Sequence, residues 1–423
     1  MDYEQICEYQ GRRSRYVLTS NGFLNYFAIH PDIGLNFIQR VKRHGYPVEV
    51  HQVTTEDNYI LCIYRIPYGI HKSSRSSGNK SAVLFVHGMG GSPNNWILFG
   101  ARDSFAYYVA DRGFDVWVMA TRGVEVPLPK MHKKYNWIDD PDYWDYSLHD
   151  IGIYDLPAVI DYITEYTKQE KIFFIGHSAA CPEFFIMMSE KPQYNRKIKI
   201  SALYSSSPIL NKIDYPVVIA TTSVIDIMKG VVKYLDMKEF FPQFRIINDM
   251  SKVMCLYKSY VKACRHVADS IGSHKSRLLE DELIPLIASE SLGRLSSRQV
   301  FQFLDNVKYG EFRKFNYGPK INKKLYGDTI PPKYNLSNCR AAVAFFYGPK
   351  DSFCVKEDLY QSMSELPNVI LDYEVPYSEF THTDLLFGRN STYLVYEPTI
   401  QLFKNYDKGK IPSKITRNYV PSP

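Results

Sequence analysis

The chain has 423 residues and is 45% apolar, enough to bury one large core with an insertion or two separate domains. Its 23% charged residues are ordinary for a folded protein and argue against wholesale disorder. Lys+Arg exceeds Asp+Glu by 51 − 45 = 6 with no long basic block, so charge points to neither a nucleic acid nor an anionic membrane as partner.

Residues 1–45 lack a clear period and read as an N-terminal extension. Within them Tyr16–Pro31 follows the basic run Arg12–Arg15, yet Thr19, Ser20, Asn21, Gly22 and Asn25 leave no clean apolar centre. No signal peptide is read there, so the chain reads as intracellular on this ground alone. Val48–Pro67 carries two β-rich runs around Thr54–Asn58, a hairpin pattern. Ala82–Val86 is a short apolar strand ending at His87-Gly88, and it opens the longest stretch free of Asp, Glu, Lys and Arg. That stretch is broken by glycines, Pro93, Asn94 and Asn95, so no transmembrane helix is expected. Ser104–Arg112 reads as a helix stopped by Gly113, and Asp115–Ala120 as a strand. Asp155 precedes Leu156-Pro157 like an N-cap, with a helix to about Lys168. Ile172–Ile175, the helix-like Cys181–Met188 and the strand Ser201–Ser205 continue the alternation. Strands alternating with helices predict an α/β fold with a mostly parallel sheet.

From residue 209 to about 335 only helical patterns remain. There Val224, Met228, Val231 and Leu235 share one helical face, which reads first as core packing against the sheet and second as a surface for lipid. Strand signals return at Ala341–Tyr347 and Val369–Val375. The expected organisation is an extension over 1–45, a first core part over 46–208, an inserted helical cap over 209–335 and a second core part over 336–423.

Of the seven cysteines, none forms a Cys-x-x-Cys pair, so no metal site is expected. Cys255 and Cys264 are the nearest pair and span a short loop. Sequons at Asn79, Asn335 and Asn390 matter only if the chain enters a secretory pathway.

Four features carry chemistry. Ser178 follows a strand and precedes a helix in Gly176-His177-Ser178-Ala179-Ala180, the setting of an exposed nucleophile on a sharp turn. A serine hydroxyl is a weak nucleophile and needs a base and an oxyanion pocket. His87-Gly88-Met89-Gly90-Gly91 follows a strand and offers the Met89 N–H as an oxyanion donor; without the Walker lysine or G-x-G-x-x-G spacing, a phosphate loop is disfavoured. Asp351 follows the strand Ala341–Tyr347, and His382 follows Val369–Val375. The order Ser…Asp…His is that of a nucleophile elbow with its acid and base. Asp384 competes with Asp351 by nearness to His382, but a strand end is the firmer platform.

With these features in place, the sequence resembles the acid lipases of the gastric and lysosomal type, within the α/β-hydrolase fold. The resemblance runs from about His30 to Phe403 and is dense at His87–Trp96, Asp115-Val116-Trp117, Arg122-Gly123 and Tyr154–Ile163. It resumes at Glu239–Pro242, Pro331–Leu336 and His382-x-Asp384. It implies Ser178 as nucleophile, Asp351 as acid, His382 as base, and the Met89 and Ala179 N–H groups as oxyanion donors. It also implies a Cys255–Cys264 disulfide, no cofactor, a neutral-lipid ester as substrate, and a secreted or lysosomal location. The family pattern Gly-His-Ser-Gln-Gly departs here to Ala179-Ala180. The expectation from that departure is that the Ala180 methyl presses the nucleophile helix outward and slows catalysis. It also motivates one alternative, an inactive lipid-binding relative; a second alternative, a thioesterase or small-ester esterase, shares the triad and differs only in substrate.

Overall fold

The computed structural model describes residues 30–410 except 76–77, 79, 241–252, 272–273 and 291–292, together with 416–417. Most of the expected N-terminal extension, with Cys7, and the sequon at Asn79 lie outside the described residues. Helix α1 (Phe37–Arg43) lies in the rest of that span. The Asn36 side chain accepts from the Gln39 N–H at 2.9 Å and the Gln39 side chain accepts from the Asn36 N–H at 3.1 Å, a reciprocal cap that starts the helix. Phe37, Ile38 and Val41 then bury against the sheet's helical layer. Seven residues make two turns, too few to show a period in sequence.

The antiparallel hairpin β1 (Glu49–Thr54) and β2 (Ile60–Ile66) is followed by β3 (Ala82–Val86), α2 (Phe105–Asp111) and β4 (Asp115–Met119). Helix α3 (Leu156–Thr167), β5 (Ile172–His177), α4 (Ala180–Glu190) and β6 (Ile198–Tyr204) complete the first run. Among the described residues, helices alone fill the space before the next strand: α5 (Pro216–Tyr234), α6 (Val261–Ile271), α7 (Ile284–Glu290), α8 (Ser297–Tyr309) and α9 (Pro319–Tyr326). Then come β7 (Ala342–Tyr347), α10 (Lys356–Glu365), β8 (Val369–Glu374), α11 (Glu397–Asp407) and the two-residue β9 (Thr416–Arg417).

Among the described residues, nine strands form one sheet in the order β1-β2-β4-β3-β5-β6-β7-β8-β9, antiparallel at β1/β2 and β2/β4 and parallel from β4 onward. Residues in the central strands alternate between two apolar layers, as Phe173 and Ile175 face one layer and Ile172 and Phe174 the other. Burial on both faces is why these strands read as unbroken apolar runs.

Two expectations are corrected here. Asp155 does not cap α3: it has helical angles (φ −69°, ψ −55°) inside a helical run that begins at Leu148 and passes through a wide π turn at Ile151–Asp155. The face Val224/Met228/Val231/Leu235 does not pack on the sheet. Helix α5 packs on α8 through Ile225, while Val224 and Val231 are 45% and 50% exposed.

Candidate active site

The chain leaves β3 for β4 on one side, then crosses to β5 on the other. Such a reversal opens a crevice beyond the carboxyl ends of the two strands. The His87–Gly91 loop leaves β3 at that crevice, and Ser178 leaves β5 beside it.

Ser178 has φ +56°, the left-handed region that side chains avoid. Its N–H donates to the Tyr204 carbonyl at 2.9 Å, and its carbonyl accepts from the Cys181 N–H at 3.0 Å, which hold the bend. Two bare backbones make room for it. A Cβ on Gly88 would lie 2.8 Å from Ser178 Cβ, and one on Gly176 would lie 3.2 Å from Ala180 Cβ. The helix therefore rests on Gly176, and it is Gly176 that accommodates the Ala180 methyl.

Ser178 Oγ lies 3.1 Å from His382 Nε2. His382 Nδ1 lies 3.0 and 3.1 Å from the two oxygens of Asp351. With Nδ1–H donating to that carboxylate, Nε2 is the free lone pair facing the serine hydroxyl. Asp351 is itself fixed, accepting from the Phe353 N–H at 2.9 Å and the Cys354 N–H at 3.2 Å. Asp384 lies elsewhere: its carboxylate accepts from the Thr381 N–H and hydroxyl at 2.7 and 2.8 Å and from the Ser276 hydroxyl. Burial raises its pKa above the usual carboxylate range. Both His382 ring nitrogens thus point at Ser178 and Asp351, leaving none for Asp384.

Two further histidines shape the surroundings as neutral rings. Burial lowers the pKa of His87 to about 4. Its Nδ1–H donates to the Gly88 carbonyl at 2.9 Å, and its Nε2 accepts from the Thr121 N–H at 3.3 Å, which pins the loop bearing Met89. Burial, and then the neighbouring His382 charge, hold His177 well below its ordinary pKa. Its Nε2–H donates to the His382 carbonyl at 3.2 Å. Among the described residues, neither the Met89 nor the Ala179 N–H donates to a protein acceptor, and both residues line the cavity in front of Ser178. Ala179 also stands at the head of α4, where unpaired N–H groups and the helix dipole favour negative charge.

That cavity measures about 540 Å³. Leu148, Phe353 and Leu386 wall it from the core side; Val218, Leu295 and Phe303 wall it from the helical segment. A largely apolar chamber that opens onto Ser178 and His382 suits an acyl chain joined to a polarised carbonyl.

The description "Partial alpha/beta-hydrolase lipase region" matches residues 37–100, and "alpha/beta hydrolase fold" matches residues 81–228. The chain is 34% identical over 370 residues to Lipase 3 of Drosophila melanogaster, covering 87% of this chain and 93% of that protein. It is 28% identical to the gastric triacylglycerol lipase of Homo sapiens, over 89% of this chain and 93% of that one. It is 26% identical to the lysosomal acid lipase/cholesteryl ester hydrolase of Homo sapiens, over 90% and 93%. The chain belongs to the acid lipase family.

This lipase also contains a buried hub that sequence reading did not reveal. Arg122 reaches Asp155 through Nη2 at 2.6 Å and Nε at 2.8 Å, and Asp57 through Nη1 at 2.7 Å. The guanidinium lies 3.9 Å from the centre of the Tyr59 ring. Asp57 and Asp155 lie 65 and 33 residues from Arg122 in sequence, so no local pattern joins them. The hub ties the β1–β2 hairpin to the end of β4 and the head of α3. In the helical segment of the lipase, a disulfide joins Cys255 to Cys264 at the start of α6. Among the described residues no helix is long and apolar enough to cross a membrane.

Proposed function

We propose that this lipase hydrolyses carboxylic esters of neutral lipids, triacylglycerols or sterol esters, through an acyl-enzyme on Ser178. The observation that carries the reading is the line Ser178 Oγ–His382 Nε2–His382 Nδ1–Asp351, with contacts of 3.1 and 3.0 Å. His382 takes the hydroxyl proton as Ser178 Oγ attacks the ester carbonyl. The charge that develops on the carbonyl oxygen is met by the Met89 and Ala179 N–H groups. His382 then passes its proton to the departing alcohol. Water attacks the acyl-enzyme with His382 again as base, and the fatty acid leaves as Ser178 is restored. Asp351 keeps the imidazole in one tautomer and balances its transient charge.

On this reading residues 209–335 form a cap over a core built from 46–208 and 336–423. The cap is also the part that meets lipid. Along α5, Val217, Val224, Ile227, Val231 and Tyr234 recur at helical spacing and are 45–89% exposed, while Val218 of the same helix lines the catalytic cavity. An apolar stripe on the outside of a helix that walls the cavity is suited to a lipid surface.

The test is a fluorophosphonate probe with an ester panel that varies acyl length and alcohol. The wild type should take the label on Ser178 and cleave long-chain glycerol or sterol esters. Ser178→Ala should lose the label and about 10⁶ in kcat. A folded wild type without label would indicate an inactive lipid-binding relative. A preference for thioesters or short esters would place the activity with the thioesterases or small-ester esterases.

A further inference from the structure

The loop that carries His382 is held from outside the hydrolase core. Asp384 is 1% exposed and spends one carboxylate oxygen on the Thr381 N–H and hydroxyl. The other accepts from the Ser276 hydroxyl, which comes from the segment between α6 and α7. Ser276 Oγ also accepts from the Leu278 and Leu279 N–H groups at 3.1 and 2.9 Å, so the hydroxyl proton is directed to Asp384. Ser276 is fixed in turn by α6: its N–H donates to Asp269 at 3.2 Å, and its carbonyl accepts from Arg265 Nη2. The same segment touches the acid's loop. His274 Nε2 lies 2.9 Å from the hydroxyl of Ser352, the residue after Asp351. A third tie joins the Arg389 N–H to the Leu278 carbonyl at 2.9 Å.

We propose that Ser276 is a positioning residue for the reaction, acting through Asp384 and Thr381 to hold His382 at Ser178. The inference rests on the triad assignment above. The segment 274–279 clasps the two loops that carry the acid and the base, and Thr381 pairs directly with Lys350, the neighbour of Asp351. The hydroxyl of Ser276 touches neither the imidazole nor the cavity. Its effect is geometric: it fixes Asp384, Asp384 fixes the Thr381 backbone, and the next residue is the base. Displacement of a reacting group by about 1 Å can cost on the order of 10²-fold, so loss of one tie among several should cost less.

The experiment compares wild type, Ser276→Ala and Ser276→Thr with a soluble p-nitrophenyl ester and with a fluorophosphonate. Ser276→Ala should lower kcat about tenfold with KM nearly unchanged, and lower the labelling rate constant of Ser178 in the same proportion. Ser276→Thr keeps the hydroxyl and should restore most of both. A purely structural role would lower the melting temperature and leave the kcat and labelling rate of the folded fraction alone, which overturns the proposal. A loss that appears in KM instead of kcat, or that threonine fails to restore, overturns it equally. Should the alanine variant not fold, Ser276→Cys keeps a weak donor of similar size, and its kcat is read in the same way. A wild type that never labels contradicts the triad itself; a wild type and Ser276→Ala that label alike contradict only the clasp.

Discussion

Consider Ala180→Gly, which restores the glycine usual in the family's serine motif. Sequence reasoning expects relief: a smaller residue lets α4 approach β5, aligns the Ala179 N–H and raises kcat. The structure removes the reason for that gain. The methyl of Ala180 is fully buried and faces the bare backbone of Gly176, where a Cβ would come within 3.2 Å of it. The room is already supplied on the strand side, and Ser178 Oγ keeps its 3.1 Å contact with His382. Removing the methyl forfeits about 0.8 kcal/mol of burial. Glycine in a helix costs up to about 1 kcal/mol more than alanine, and part of that applies at the first helical residue. The sum is about 1–2 kcal/mol, a drop of about 1–2 °C in melting temperature for a chain of this size. Thermal scans and initial rates on a soluble ester check both halves: a lower Tm with kcat within about twofold of wild type. A kcat several-fold higher would mean that the methyl does hold the Ala179 N–H out of line, and would refute the packing argument.

Asp351→Asn should cost about 10⁴ in kcat/KM on a soluble ester, because it upsets the tautomer of His382; Asp384→Asn should cost less than about 10², because it disturbs position only. The reverse ranking would exchange their roles. Gly88→Ala puts a Cβ 2.8 Å from Ser178 Cβ and 3.1 Å from the His177 carbonyl. It should lower the fluorophosphonate labelling rate by at least about 10² without unfolding the chain, as read by circular dichroism. Glu183, 2% exposed on α4, is pushed well above its ordinary pKa by burial and then by the charge of Asp155. It therefore keeps its proton to a higher pH in the fold than in the unfolded chain, which ionises above about pH 4.5. Its contribution to stability is whole below that pH and declines as pH rises toward the folded value, by about 1.4 kcal/mol per unit. Glu183→Gln should therefore match wild type in denaturant midpoint near pH 4 and exceed it increasingly as pH rises above about 4.5; equal midpoints at every pH would contradict this.

The parts of the fold that could be read in advance are those where local chemistry and tertiary context agree. Ala82–Val86 is apolar because both faces of β3 are covered, so its limits are visible in sequence and recur in the structure. Asp155 looks like a cap in sequence because its neighbours Leu156-Pro157 mimic a helix start, while its true partner, Arg122, is distant in the chain. The face of α5 was misread because an apolar stripe is silent about what covers it; only the packing of Ile225 on α8 shows which side is inward. In the site, Ser178, Asp351 and His382 all follow strands, and the structure links them in the order Ser178–His382–Asp351 through contacts of 3.1 and 3.0 Å because parallel sheets gather such ends at one edge. Ser276 carried no signal: a serine beside Lys275 and Arg277 resembles any polar loop, and its meaning comes from Asp384, 108 residues later.

The distribution of thiols in the fold makes it a gauge of its own opening. Cys62, Cys181, Cys339 and Cys354 are unpaired and buried, and burial pushes the Cys62 and Cys339 thiols up to about 12. The remaining described pair is locked in the disulfide. A thiol reagent added to the oxidised native lipase, with Cys7 replaced by serine, therefore meets almost no reactive sulfur until part of the chain opens. The four positions report on different places: Cys62 on β2, Cys181 on the helix that follows Ser178, Cys339 before β7 and Cys354 beside Asp351. The order in which they react would map which region yields first, and whether the neighbourhood of Asp351 loosens before the sheet does.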